Sequence, residues 1–240
     1  LIIIIASRYM QNMAQRESKY PVPEEIAVPY KKAVSLNNSG KYKSARRELL
    51  ELVEMYPDEP RILNSLGNTY ARLKDDVEKG IECYLKALEI APDFTPALVN
   101  LASLYSALGR YSGAVMYARR ALTLDRKSPA AWNTIGLYYA RTGDVPTALD
   151  YFLASYSYDN DYVIAAFNAA CALTELGRLE EALKYLEISL VDKRLLEDAT
   201  TDSSLEALRT LPEFKAILDK AKKTATAGDA RRNTAGFSGD

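Results

Sequence analysis

Five asparagines carry the most regularly spaced polar chemistry in this chain of 240 residues: Asn64, Asn68, Asn100, Asn133 and Asn168. Asn64 and Asn133 are 69 residues apart, and Asn100 and Asn168 are 68 apart. A primary amide both donates and accepts, so it can pair with the main chain of an extended peptide. That is binding chemistry. The catalytic alternatives are few, because the chain has no histidine. Ser-His-Asp and Cys-His catalysis, imidazole proton shuttling and histidine metal sites are all removed. Cys83 and Cys171 form no CxxC pair, so both read as small core residues rather than metal ligands. No GxxxxGK[ST] phosphate loop is present. Asp159-Asn160-Asp161 begins like a calcium loop but lacks the following glycine and the distant glutamate, so it reads as a connecting loop. No catalytic residue, metal or cofactor is expected. The balance of 31 basic and 32 acidic residues argues against nucleic acid as a partner.

The elements that must position these asparagines repeat along the chain. Gly109, Gly143 and Gly177 are spaced 34 and 34, and Gly40 precedes Gly109 by 69. Ala45, Gly80, Ala114, Ala148 and Ala182 follow at 35, 34, 34 and 34. Leu52, Ala87, Ala121, Ser155 and Ser189 keep the same four intervals. The single 35 marks an insertion near Lys74-Asp75-Asp76, where the glycine of the other units is missing.

Each unit reads as two helices. Trp132, Ile135, Gly136 and Tyr139 recur at helical spacing, Thr142-Gly143-Asp144 breaks the pattern, and Ala148, Leu149, Phe152 and Ser155 resume it. Gly143 suits a left-handed position after a helix end. Pro146 suits a first helical turn, where a missing N–H is harmless. Pro57, Pro60, Pro92, Pro96 and Pro129 fall between units. One helix pair cannot bury its apolar face alone. Stacked pairs bury a continuous core, and small residues such as Ala45, Ala114, Ala148 and Ala182 let neighbouring helices come close.

The period and the set Trp132, Ile135-Gly136, Tyr139, Gly143, Ala148 and Phe152 resemble the tetratricopeptide repeat. Similar sets begin at Leu63 and Leu98, with a degenerate first unit around Gly40 and a fifth unit around Gly177. The resemblance implies an all-α fold, a right-handed superhelical solenoid of about five helix-turn-helix repeats with a C-terminal helical cap. It implies residues 24–196 for the repeats and 197–223 for the cap. It further implies that the first helix of each pair lines a concave groove. By register, the groove positions are Asn64, Asn68 and Arg72, with Arg61 and Ser65 beside them. Val99, Asn100 and Ser103 follow in the third unit. Asn133, Leu137 and Arg141 follow in the fourth, with Thr134 beside them. Phe167 and Asn168 follow in the fifth, with Cys171 beside them. These residues are expected on the exposed side of their helices, with Val99, Leu137 and Phe167 offering apolar contact. The lysine-asparagine-arginine clamp that some relatives use for a C-terminal carboxylate is not expected, because Pro96, Ala130, Thr134 and Ile164 hold the places of its basic residues.

Tyrosine outnumbers the other aromatics, 17 against 5 phenylalanines and 1 tryptophan. Tyr70, Tyr105 and Tyr139 occupy equivalent core places. Tyr138, Tyr156, Tyr158 and Tyr162 fall off the pattern and are candidates for an aromatic surface. Toward the C-terminus, Ser203 with Glu206, and Thr210 with Glu213, offer capping boxes. Leu205, Leu208, Leu211, Phe214, Ile217 and Leu218 form an apolar stripe for two short helices that cover the last repeat. Residues 224–240 are expected to stay disordered, since they hold almost no large apolar residue.

Residues 1–23 form an apolar segment and linker. Leu1-Ile2-Ile3-Ile4-Ile5 is far shorter than the roughly 20 residues a spanning helix needs. Three readings stay open: the remnant of a membrane anchor with Arg8, Arg16 and Lys19 on the cytoplasmic side, a helix packed on the repeats, or the leftover of a signal segment. Two functions follow. The first is a non-enzymatic scaffold that holds a protein or peptide partner in its groove, membrane-associated or soluble in the cytoplasm. The second is a structural subunit or assembly factor of a membrane complex, touching membrane proteins through its outer faces, including Arg46, Arg119 and Arg120, and its termini. Self-association through residues 1–20 is a further expectation.

Overall fold

The computed structural model describes residues 22–73 and 76–235, with side chains through residue 224. The Leu1–Ile5 segment and its three readings lie outside these residues, as do residues 236–240. The described residues form thirteen helices and no strand. In chain order they are α1 Glu24–Asn38, α2 Tyr42–Met55, α3 Pro60–Arg72, α4 Val77–Ile90, α5 Thr95–Ala107, α6 Tyr111–Leu124, α7 Pro129–Arg141, α8 Val145–Tyr158, α9 Val163–Glu175, α10 Leu179–Ser189, α11 Leu195–Thr201, α12 Glu206–Arg209 and α13 Pro212–Ala235. A 3-10 turn, Ser203–Leu205, precedes α12. The chain divides into two compact units, Leu1–Tyr138 and Tyr139–Asp240.

In the first unit α1 packs on α2, α3 on α4 and α5 on α6, while α2 also packs on α3 and α4 on α5. The first helices meet one another as well, α1 with α3 and α3 with α5. The small residues of the repeat make this possible. Ala45 and Ala114 are fully enclosed. Gly67 and Gly80 bring α3 and α4 closest. A Cβ on Gly67 would lie 2.7 Å from the Tyr84 ring, and one on Gly80 would lie 3.1 Å from the Gly67 carbonyl oxygen. Ile26, Leu49, Leu52, Ile62 and Leu66 fill the core of the first two pairs, with Cys83 against its edge. Burial pushes the Cys83 thiol up to about 11, so it is a protonated packing residue at neutral pH.

The hairpin turns have a clear physical cause. Gly109 takes φ +73°, and its N–H donates to Ser106 O while Arg110 N–H donates to Tyr105 O. This Schellman closure satisfies two carbonyls at the end of α5 and needs a left-handed residue that a side chain would strain. Gly40, Gly143 and Gly177 do the same. Pro146 sits in the first turn of α8, where Asp144 Oδ1 accepts from Thr147 N–H at 3.2 Å. Asp159 Oδ1 accepts from Asp161 N–H at 3.1 Å, a local turn at the acidic loop.

In the second unit α9 packs against α8 and α10. Ala148, Leu149, Phe152, Ala169, Ala170, Leu173, Ala182 and Leu186 form its core. The 3-10 turn reaches α9, and α12 and α13 pack on α10. Leu205, Leu208, Phe214 and Leu218 are buried there. Two details differ from expectation. The capping boxes do not form: Asp202, not Ser203, accepts from Ser204 N–H at 2.9 Å, and the Thr210 hydroxyl donates back to Ala207 O. A side chain one residue earlier and a competing carbonyl take those roles. The last helix also continues to Ala235, into the stretch expected to be disordered. Residues 224–235 hold four alanines and no proline, and alanine has the strongest helix propensity.

The off-pattern tyrosines form no shared surface within the second unit. Tyr162 is buried at the start of α9, and Tyr156 meets Tyr185 edge-on at 6.0 Å, leaving Tyr158 exposed. Tyr156 thus finds its partner on α10. The pattern tyrosines pack as pairs: Tyr105 with Tyr117 at 5.7 Å and Tyr139 with Tyr151 at 5.3 Å.

Candidate functional site

The candidate site of the first unit is the face where consecutive first helices meet. Asn100 Nδ2 on α5 donates to Asn64 Oδ1 on α3 at 2.9 Å. One step toward the N-terminus, the Tyr30 hydroxyl on α1 lies 2.8 Å from Ser65 Oγ on α3. Side chains in these repeat places therefore tie first helix to first helix. Burial pushes the Tyr30 phenol up, so it stays neutral.

The exposure expected for several groove residues is not found. Asn64, Asn100 and Asn133 are only 8%, 5% and 4% exposed, and Ser65 and Thr134 are buried with them. Val99 and Phe167 are enclosed too. Register shows which side of a helix a residue takes. It does not show that neighbouring first helices come close enough for these side chains to cover one another. Val99 and Phe167 are thus core residues, and Leu137 is the half-buried apolar side chain of the set. The Thr134 hydroxyl donates to Ala130 O within its own helix.

Two further positions have intramolecular duties. Asn68 Oδ1 accepts from the Tyr84 hydroxyl of α4 at 2.6 Å, which places it at the interface between paired helices. The Arg72 guanidinium lies 5.7 Å from the ring centre of Tyr42 on α2. Ser103 is half-buried on α5. In the second unit Arg141 is exposed at the end of α7, and Asn168 and Cys171 are half-buried on α9. Burial also pushes the Cys171 thiol up. No group of acidic and cysteine side chains among the described residues could hold a metal ion.

Sequence reasoning passed over Tyr30, although it lies 34 residues before Asn64 and so holds the place of Asn64 in its own repeat. It gave no reason to single out Arg61. The Arg61 Nε is buried, and its guanidinium makes no hydrogen bond or ion pair among the described residues. The outer arginines are engaged instead. Arg46 pairs with Asp76 at 3.0 Å, and Arg120 donates to Pro92 O.

Tetratricopeptide repeat signatures match residues 58–127, 99–162 and 164–187, together more than half of the chain. The chain belongs to the tetratricopeptide repeat family. This tetratricopeptide chain is 25% identical over 158 residues to Protein FlbA of Caulobacter vibrioides, covering 66% of the chain and 26% of FlbA. It is 39% identical over 75 residues to the heat-shock protein cognate co-chaperone sgt12 of Aspergillus fumigatus, covering 31% of the chain and 22% of the co-chaperone. The chain thus spans about a quarter of the length of these curated relatives. Among solved structures, MamA of Desulfovibrio magneticus RS-1 shares the fold with a TM-score of 0.57 at 14% identity, covering 76% of this chain and 100% of that one. Cut9 in its complex with Hcn1 gives 0.71 at 16% identity, covering 93% and 47%. The fold class is therefore the all-α tetratricopeptide solenoid, a protein-interaction scaffold.

Proposed function

We propose that this chain holds an extended protein segment along the face of its first helices, as a scaffold without a catalytic step of its own. The Asn64–Asn100 pair carries the reading. Their mutual bond uses one N–H of Asn100 and one lone pair of Asn64, and the other amide groups of both residues make no hydrogen bond among the described residues. A pair of amides held rigid between two helices presents donors and an acceptor at fixed spacing, and a peptide main chain matches both. Ser103 and Asn133 extend the same face within the first unit.

The test uses peptides selected from a random display library on the full chain. The Asn64→Ala/Asn100→Ala double variant should weaken the selected peptides about tenfold or more, since each lost hydrogen bond in a desolvated site costs about 1–3 kcal/mol. Unchanged affinity in a double variant with unchanged helical circular dichroism sinks the proposal.

A second reading rests on a different observation. Met55 on α2, and Met116 and Leu124 on α6, are exposed apolar side chains on second helices. They favour outer-face contacts, as in a structural subunit or assembly factor of a membrane complex. Tethering to a membrane would rest on the Leu1–Ile5 run, since no described helix is long and apolar enough to cross one.

A further inference from the structure

We propose that the segment held on the first unit is acidic, and that Arg61 seats one of its Asp or Glu side chains. This inference rests on the first-helix face being the binding face.

Acidic residues are unevenly spread over the helices: of the first helices, α1 carries Glu24 and Glu25 and α9 carries Glu175. The chain has 32 acidic residues, yet α3, α5 and α7 contain none. Those three helices carry Arg61, Arg72 and Arg141. Of the second helices, α6 also contains no acidic residue, whereas α2 and α4 are acidic. Glu48, Glu51 and Glu54 lie on α2, and Glu78, Glu82 and Glu89 lie on α4. Arg46 and Lys79 pair with Asp76, and Arg110, just before α6, pairs with Glu78.

Arg61 lacks such a pair among the described residues, as do the exposed Lys43 and Lys86, but its Nε is buried. Its guanidinium is half-buried and meets no carboxylate among the described residues. Glu59, the nearest acid along the chain, instead accepts from the Arg61 main-chain N–H at 3.1 Å and caps α3. A desolvated donor without a partner destabilises a fold, so an arginine kept there is better matched by an anion from outside. The neighbours suit a carboxylate. Ser65 follows Arg61 by one helical turn and holds the Tyr30 hydroxyl at 2.8 Å. Asn64 adds amide N–H groups that have no partner among the described residues. Arg61, Asn64 and Ser65 lie at i, i+3 and i+4 on one face of α3, where a carboxylate can accept from guanidinium, amide and hydroxyl.

The carboxylate belongs to a side chain rather than to a chain end. The first-helix face continues on both sides of Arg61, to α1 through Tyr30 and to α5 through Asn100. A segment lying on it passes over the arginine instead of stopping there.

The experiment takes the full chain and a library of random peptides displayed as amino-terminal fusions, which have no free C-terminus. The selected peptides should be enriched in Asp and Glu. Synthesised with an amidated end, they should lose about tenfold in affinity when those residues become Asn and Gln, and lose it at low salt more than at high salt. Arg61→Gln should abolish that acid-to-amide difference, and Arg61→Lys should restore part of it. The denaturation midpoint of Arg61→Gln should be unchanged or higher, which a structural arginine would not allow. Selected peptides without acidic enrichment overturn the inference, as does an acid-to-amide difference that persists in Arg61→Gln. If such non-acidic peptides still weaken in Asn64→Ala/Asn100→Ala, only the acidic partner falls. If the peptides bind that double variant as well as the wild type, the first-helix reading falls and takes this inference with it.

Discussion

Tyr84→Ala is expected to destabilise the first unit by about 3–5 kcal/mol, the range for truncating a fully buried aromatic side chain. Tyr84 has no exposed surface. Its ring packs against the Gly67 position of α3, and its hydroxyl donates to Asn68 Oδ1 at 2.6 Å. Burial pushes the phenol far above its usual range, so the hydroxyl remains a neutral donor. Tyr84→Phe separates the two contributions, because it keeps the ring and removes only the bond, for about 0.5–1.5 kcal/mol. Repeat arrays can lose cooperativity when one unit weakens. Amide exchange resolved along the chain is therefore the proper measurement. Protection should fall first in α3 and α4. Uniform loss over the whole chain, or a Tyr84→Phe cost as large as that of Tyr84→Ala, would contradict this account of the pair.

Gly67→Val should cost about 2–3 kcal/mol, at the upper end of the range for overpacked sites. The new Cβ would lie 2.7 Å from the Tyr84 ring, which its hydrogen bond to Asn68 holds in place. Retreat of the helices would relieve the clash only by opening their close approach, where a Cβ on Gly80 would lie 3.1 Å from the Gly67 carbonyl oxygen. The clash depends on the ring. Gly67→Val and Tyr84→Ala together should therefore cost less than their separate effects, with a coupling of about 0.5–3 kcal/mol. Chemical denaturation of the four chains of this cycle measures it, and strict additivity would show that the ring is not what excludes a side chain at Gly67.

These two effects matter for binding because α3 carries Arg61, Asn64 and Ser65 and faces both α1 and α5. A shift of α3 by the width of a methyl group would part Asn64 from Asn100. The stability of the α3–α4 contact is thus the positioning force for the candidate site.

Much of this was legible in the spacing of small residues. The 34-residue interval between Gly109, Gly143 and Gly177 located the turns, and all three take positive φ. Ala45, Ala114, Ala148 and Ala182 marked close helix approach, and all four are enclosed. The site was less legible. Period and register select a helix face, but the distance between neighbouring first helices depends on tertiary packing. That distance turned Asn64 and Asn100 from exposed side chains into a buried pair. Asn68 lies only one turn from Asn64, yet the Tyr84 hydroxyl drew it into the interface between paired helices. Arg61 was hidden for another reason: an unmatched charge is recognised by the absence of a carboxylate in space, which sequence distance does not measure.

The central claim is that the first-helix face, not the outer face of the second helices, holds the partner. Photo-crosslinking from defined positions tests it most directly. A photoreactive amino acid is placed at Ser103, half-buried on α5, or at Met116, exposed on α6. Each full-length protein is irradiated in native extract, and the adducts are compared. The account predicts a discrete protein adduct from Ser103 that the Asn64→Ala/Asn100→Ala variant diminishes, and none of that identity from Met116. An adduct from Met116 with Ser103 silent would contradict it and assign the function to the outer face.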